Sequence, residues 1–274
     1  MHLKITHKTI YNYDDTIQDL TQYIKLYPSK HKNIKIINWN LKVKDSTISN
    51  ESIEPNGDKV IICHSNNLIK KSEIIINGEV KTKNNLKQEI LTGYKEKINP
   101  IVYLRTTNIT SITPKIKTFT NNAICKINKK DKLSLAHTIS DNISKQLSYT
   151  KNFSKEDTSS TQTLFSKKGV CKDYAHLLIS CAIYLNIPAR YICGYLYSPD
   201  EKDEATHAWV ELYFDNLGWV GFDPSNNCFV NDKYVRVCSG FDSYDAAPIK
   251  GVAIGNSSEK LDVNINIRSM SSQQ

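Results

Sequence analysis

Apolar and polar residues alternate in short runs over the first hundred residues: Leu3–Tyr11, Tyr23–Leu26, Ile34–Val43, Lys59–Cys63 and Glu73–Val80. A period of two marks half-buried strands. Turn formers break the runs at Pro55-Asn56-Gly57-Asp58 and at Asn77-Gly78, a dipeptide that favours tight hairpins. The pattern predicts an all-β, sandwich-like N-terminal domain. Residues 112–127 read as a polar connection, after which the period changes. Lys132 to Ile143 places apolar residues at helical spacing. Thr158-Ser159-Ser160-Thr161 offers an N-cap for a short helix near Gln162 to Ser166, broken by Lys168-Gly169. From Val170 to Leu185, apolar residues at 175, 178, 179, 182, 183 and 185 predict one buried face of a long helix. That helix stops ahead of Pro188, because proline disfavours helix at the residue before it. Strand-like runs follow at Ala189–Tyr197, Thr206–Phe214 and Gly218–Phe222. The predicted fold class is α+β, a helix packed on an antiparallel sheet behind the all-β domain, with domains at 1–125 and 126–274.

Composition alters this picture little. The chain has 274 residues, and 39% hydrophobic and 23% charged content match ordinary globular domains. Of 36 basic residues, 24 lie in residues 1–150, against 13 of the 28 acidic ones. These lysines are scattered, and no RNP, zinc-finger or helix-turn-helix signature accompanies them, so no nucleic-acid partner is expected. No stretch approaches the ~18 apolar residues of a membrane span, so no membrane partner is expected either. The opening Met1-His2-Leu3-Lys4-Ile5-Thr6-His7 has no apolar leader core, which points to a cytoplasmic protein with reduced thiols. None of the seven cysteines (63, 125, 171, 181, 193, 228, 238) forms a C-x-x-C pair, and no calcium-loop motif occurs. No metal and no cofactor are expected.

One cysteine stands apart by position. Cys171 follows Gly169-Val170 and opens the long helix, where unpaired backbone N–H groups and the helix dipole favour a thiolate and can bind an oxyanion. A nucleophilic sulfur needs an imidazole nearby, and the imidazole needs a third group to orient it. His207 begins one strand and Asp223 ends the next, so a hairpin turning near Asn216 brings them to neighbouring positions. Asp173 suits the first helical turn as a capping carboxylate. His176, five residues beyond Cys171, points elsewhere on the helix and reads as a packing or hydrogen-bonding residue.

Four blocks carry a family resemblance: Gly169-Val170-Cys171-Lys172-Asp173-Tyr174-Ala175-His176, Asn186-Ile187-Pro188-Ala189-Arg190-Tyr191-Ile192-Cys193-Gly194-Tyr195, Thr206-His207-Ala208-Trp209-Val210-Glu211 and Gly218-Trp219-Val220-Gly221-Phe222-Asp223-Pro224-Ser225-Asn226. In this order they resemble the transglutaminase-like superfamily, in its bacterial branch with an N-terminal β domain. The resemblance implies a papain-like arrangement with Cys171 as nucleophile, His207 as general base and then acid, and Asp223 as orienting carboxylate. It implies cleavage of peptide or amide bonds, or acyl transfer to an amine, with a peptide or protein as substrate. Hydrolysis is the favoured expectation, because the barrel domains of large crosslinking enzymes do not fit the remaining length. A protein-glutamine acyltransferase and a non-catalytic binding module are the alternatives. The tail departs from the family, with Gly240-Phe241-Asp242-Ser243-Tyr244-Asp245 where many relatives have Gly-Arg-Asp-Tyr-x-Asp. Oligomeric state is not legible.

Overall fold

The computed structural model describes residues 1–83, 89–199, 206–255 and 257–270. Five strands come first: β1 (His2–Ile24), β2 (Ile34–Val43), β3 (Thr47–Ile53), β4 (Lys59–Ser65) and β5 (Ile69–Thr82). After a short 3-10 turn at Pro100–Leu104 come the helices α1 (Pro114–Ala123) and α2 (Lys132–Gln146). Strand β6 (Ser148–Tyr149), helix α3 (Ser160–Ser166) and strand β7 (Lys168–Gly169) then lead into the long helix α4 (Cys171–Tyr184). The remaining strands are β8 (Ala189–Leu196), β9 (His207–Phe214), β10 (Gly218–Asp223), β11 (Cys228–Phe229), β12 (Tyr234–Gly240), β13 (Ile249–Ile254) and β14 (Glu259–Ser269).

Strand β1 carries the N-terminal sheet. Its first half pairs with β5 and β14 and its second half with β4 and β13. Leu3 and Ile5 are buried within it, as the alternating pattern requires. The division expected at residue 125 therefore does not follow the strand pairing, since the last two strands return from the far end of the chain to flank β1. A second difference concerns Asn77-Gly78, which lies inside β5 and forms no turn. A Cβ on Gly78 would fall 2.1 Å from the Trp39 ring, so the glycine serves a close approach across the sheet. The Pro55 to Asp58 turn forms as expected, with Gly57 at φ +86°.

Residues 112–127 also differ from the polar connection read in the sequence, because α1 lies there. Thr113 caps it, Pro114 occupies its first turn, and Ile116 and Thr120 are buried. Proline is favourable at that position, having no N–H to leave unpaired. Helix α3 has the expected serine cap, a capping box between Ser159 and Gln162, and ends on Lys167 in a left-handed conformation. Helix α4 is buried all round from Asp173 to Ile183, beyond the single face predicted. It lies between α1, α2 and α3 on one side and β8 and β9 on the other. Burial on every side, with Asp173, His176 and Ser180 among the buried residues, marks such a central position.

The second sheet runs β11-β10-β9-β8-β12, antiparallel throughout. Tyr191, Cys193, Ala208, Val210 and Leu212 join the main core with α4, while Ile192, Trp209 and Tyr234 form a separate cluster. The N-terminal half grips this sheet through buried polar contacts. His7 Nδ1 pairs with the Tyr195 hydroxyl at 2.8 Å, and burial pushes His7 down to about 4, leaving its ring neutral. Arg190 and Arg236 both bond Glu211, and Arg236 also reaches Asp58 at 3.1 Å and Ser29 at 2.6 Å. Removing one member would strand the opposite charge inside the protein, so the network behaves as a unit.

Candidate active site

Helix α4 begins where the chain must turn sharply. Gly169 fits because a Cβ there would meet the Asp173 side chain at 2.7 Å. Asp173 Oδ2 accepts from the Val170 N–H at 2.7 Å and Oδ1 from the Ser154 hydroxyl at 2.7 Å, which closes the first turn. Burial raises the Asp173 carboxyl, against those two hydrogen bonds. Cys171 is thereby fixed at the first helical position, partly exposed, on the wall of a cleft of about 540 Å³. His207, Tyr191, Cys193, Thr206 and Lys172 line the same cleft.

Strands β9 and β10 pair with Phe222 opposite Val210, so Asp223 falls level with Trp209 and diagonal to His207. The diagonal is bridged by a 2.6 Å bond between His207 Nε2 and Asp223 Oδ2. Asp223 is fully buried. Its Oδ2 also accepts from Asn226 Nδ2 at 2.8 Å and from the Tyr234 hydroxyl at 2.8 Å. Its Oδ1 accepts from the Ser225 N–H at 2.9 Å, the Ser225 hydroxyl at 2.7 Å and the Asn226 N–H at 3.2 Å. Burial alone would raise this carboxyl, but the imidazole and these donors outweigh it and hold Asp223 down to about 2.

Burial likewise opposes a charged His207, and is overcome by the hydrogen bond to Asp223, a hydrogen bond to Cys171 and the charges of both, which lift the ring up to about 10. Nε2 faces the carboxylate, which leaves Nδ1 for the sulfur. An imidazolium beside the sulfur is the charge partner that a thiolate nucleophile requires. The back of the imidazole is covered by Trp209, with ring centroids 6.3 Å apart and planes 23° apart. Gly194, opposite His207 in the sheet, makes room for that tryptophan; a Cβ there would meet Val235 O at 2.3 Å and the Trp209 ring at 2.6 Å. Of the three residues singled out from the sequence, Cys171 and His207 line one cleft, and Asp223 is buried behind His207, bonded to its ring.

Residues 121–224 match the transglutaminase-like superfamily core, and residues 3–81 match the bacterial transglutaminase-like N-terminal region. The chain has a transglutaminase-like core. An uncharacterized protein of Mycobacterium leprae is 33% identical over 116 residues, 40% of this chain and 41% of that protein. An uncharacterized protein of Mycobacterium tuberculosis H37Rv is 33% identical over 122 residues, 40% of this chain and 39% of that protein. The chain matches about two fifths of the length of these curated relatives. A crystal structure from Cytophaga hutchinsonii, described as a candidate cysteine protease, is similar with a TM-score of 0.78 at 21% identity, covering 100% of this chain and 92% of that one. That likeness is one of fold.

The transglutaminase-like core also holds polar residues that sequence reasoning did not single out. Tyr234, on β12, reaches Asp223 from across the sheet, and its hydroxyl lies 3.3 Å from Cys228 Sγ. Burial and the neighbouring carboxylate push the Tyr234 hydroxyl far above its ordinary range, so it remains a donor. No local signal marks it. Asn226 and Ser225 do have one, because an Asp-Pro-Ser-Asn sequence is turn chemistry in which side chains fold back on the backbone. His176 is a buried acceptor for the Ser243 N–H at 3.1 Å, kept neutral by burial, which lowers it to about 3. It ties the divergent tail to α4, and Asp242 caps that tail by accepting from the Tyr244 and Asp245 N–H groups.

Proposed function

We propose that this chain is a cysteine-nucleophile peptidase or amidohydrolase that cleaves amide bonds through an acyl-enzyme on Cys171. The observation that carries the reading is the imidazole of His207, held by buried Asp223 at 2.6 Å on the wall of the open cleft that Cys171 also lines. The Cys171 thiolate attacks the carbonyl carbon and a C–S bond forms as the carbonyl pair moves to oxygen. The adduct collapses, the C–N bond breaks, and the proton of the His207 imidazolium goes to the departing amine. The neutral ring then takes a proton from water, whose oxygen attacks the thioester and releases a carboxylate and the thiolate. Asp223 stays ionised throughout, orienting the ring and stabilising its charged form.

Mass spectrometry of products from a peptide library, with and without an amine donor, tests this directly. Hydrolysed peptides are expected from the wild type and none from Cys171→Ala. Products extended by the amine would assign the chain to acyl transfer. Absence of any acylated Cys171 peptide would sink both.

A further inference from the structure

An acyl-enzyme mechanism needs two donors at the point where the carbonyl oxygen becomes an anion. The first turn of α4 provides one. Its Asp173 and Tyr174 N–H groups turn back to the Val170 carbonyl, and the Val170 N–H is consumed by Asp173. The Cys171 and Lys172 N–H groups have no helical partner at that end, and the Cys171 N–H is the nearer to the sulfur. The second donor must come from a side chain that lines the cleft, is fixed in place and keeps its proton at neutral pH.

We propose that Tyr191 is this second donor, its phenolic O–H and the Cys171 backbone N–H together forming the oxyanion hole. The inference rests on the acyl-enzyme reading above. Tyr191 sits on β8 on the side that joins the core with α4, opposite Val210 on one neighbouring strand and Gly240 on the other. Its ring packs against His176 of α4 with centroids 5.2 Å apart, and the residue is 5% exposed. A side chain so held has little conformational freedom to lose when it binds an anion. Its hydroxyl makes no hydrogen bond among the described residues, and Tyr191 lines the same cleft as Cys171 and His207. Lys172, another donor on that wall, is drawn toward the Lys155 carbonyl at 2.8 Å. Burial first, and then the negative charge of Cys171 followed by that of Cys193, hold the Tyr191 hydroxyl far above its ordinary range. It therefore stays protonated and lies within the electrostatic reach of the nucleophile.

During attack the new C–S bond forms, the carbonyl pair moves to oxygen, and that oxygen accepts from Tyr191 Oη–H and Cys171 N–H. No proton leaves the tyrosine, and the contacts weaken as the carbonyl re-forms. The test compares two reactions of the same sulfur in wild type and Tyr191→Phe, a change that keeps the ring and its packing. Acyl transfer from p-nitrophenyl acetate passes through an oxyanion, whereas alkylation by iodoacetamide displaces iodide at a saturated carbon and forms none. Loss of one donor is expected to slow acylation about 10²-fold, with alkylation of Cys171 within about twofold of wild type. A phenylalanine variant that acylates at the wild-type rate overturns the assignment, as does one in which both reactions slow together, since that would mark damage to the thiolate. A wild-type Cys171 that alkylates but accepts no acyl group refutes the acyl-enzyme reading itself and removes the basis for an oxyanion hole.

Discussion

Replacing Asp223 by asparagine isolates what the carboxylate does for the imidazole. The change is nearly isosteric, yet Oδ2 now receives His207, Asn226 and Tyr234 as donors. An amide nitrogen placed there confronts three donors. Flipping the amide only moves the conflict to Ser225 and the Asn226 N–H on the other side. The strength of the pair can be bracketed from its two ends. His207 rises from 6.5 to about 10, on the order of 5 kcal/mol in favour of the imidazolium, but Cys171 supplies part of that. Asp223 falls from 3.8 to about 2, about 2 kcal/mol, after paying for its own burial. The smaller figure excludes the sulfur but includes the Ser225 and Asn226 donors, so it sets the order of magnitude for the pair. Asp223→Asn should therefore lower alkylation of Cys171 by iodoacetamide at pH 7 by roughly thirtyfold or more, the equivalent of about 2 kcal/mol. In the same variant, burial acts on His207 with the carboxylate's support gone. NMR titration of the ring should then show loss of its proton well below pH 9, where the wild-type ring is still charged. A variant whose His207 keeps its proton at pH 9 would refute this account of the site.

Thermal melts across pH should reveal both ends of the same pair. The contribution of His207 is present below pH 6.5 and lost as pH rises towards 10, while that of Asp223 is present above pH 3.8 and lost as pH falls towards 2. The melting temperature should thus be highest between about pH 4 and 6.5 if these two groups dominate, and a maximum near pH 9 would contradict the signs. Asp173→Ala removes acceptors for the Val170 N–H and the Ser154 hydroxyl and should cost about 1–2 kcal/mol by denaturant titration. Gly78→Ala places a methyl group 2.1 Å from the Trp39 ring, so it should expel Trp39 from its bond to the Leu26 carbonyl. The loss should be about 2 kcal/mol or more, read with the shift in tryptophan fluorescence. Tyr234→Phe deletes one of six hydrogen bonds to Asp223 and should cost about 1 kcal/mol of stability while His207 stays protonated at pH 8.

What could be read from the chain follows the distance over which each signal acts. The start of α4, its end before Pro188 and the β9–β10 hairpin are set by neighbours within a few residues, and they lie where the pattern put them. The proximity of His207 and Asp223 is legible for the same reason, because one short turn fixes their register. Asn77-Gly78 shows where that logic stops. Its hairpin propensity is real, but an extended β5 gains a full ladder with β1 and β2 and uses the glycine to seat Trp39, so tertiary packing overrides the local preference. Helix α1 lies hidden in the polar stretch 112–127 for a different reason: it buries only Ile116 and Thr120 and starts on Pro114, so no apolar stripe marks it. Strands β13 and β14 return about 240 residues later to pair with β1, an association no window of local sequence can report. Tyr234 belongs to the same class. It reaches the site only because β12 crosses over to pair with β8, and the donors that hold Asp223 ionised therefore divide into an Asp-Pro-Ser-Asn turn visible in the sequence and a tyrosine visible only in the fold. The chemistry of the site draws on both, since the turn supplies four of the six donors to the buried carboxylate and Tyr234 adds another to Oδ2.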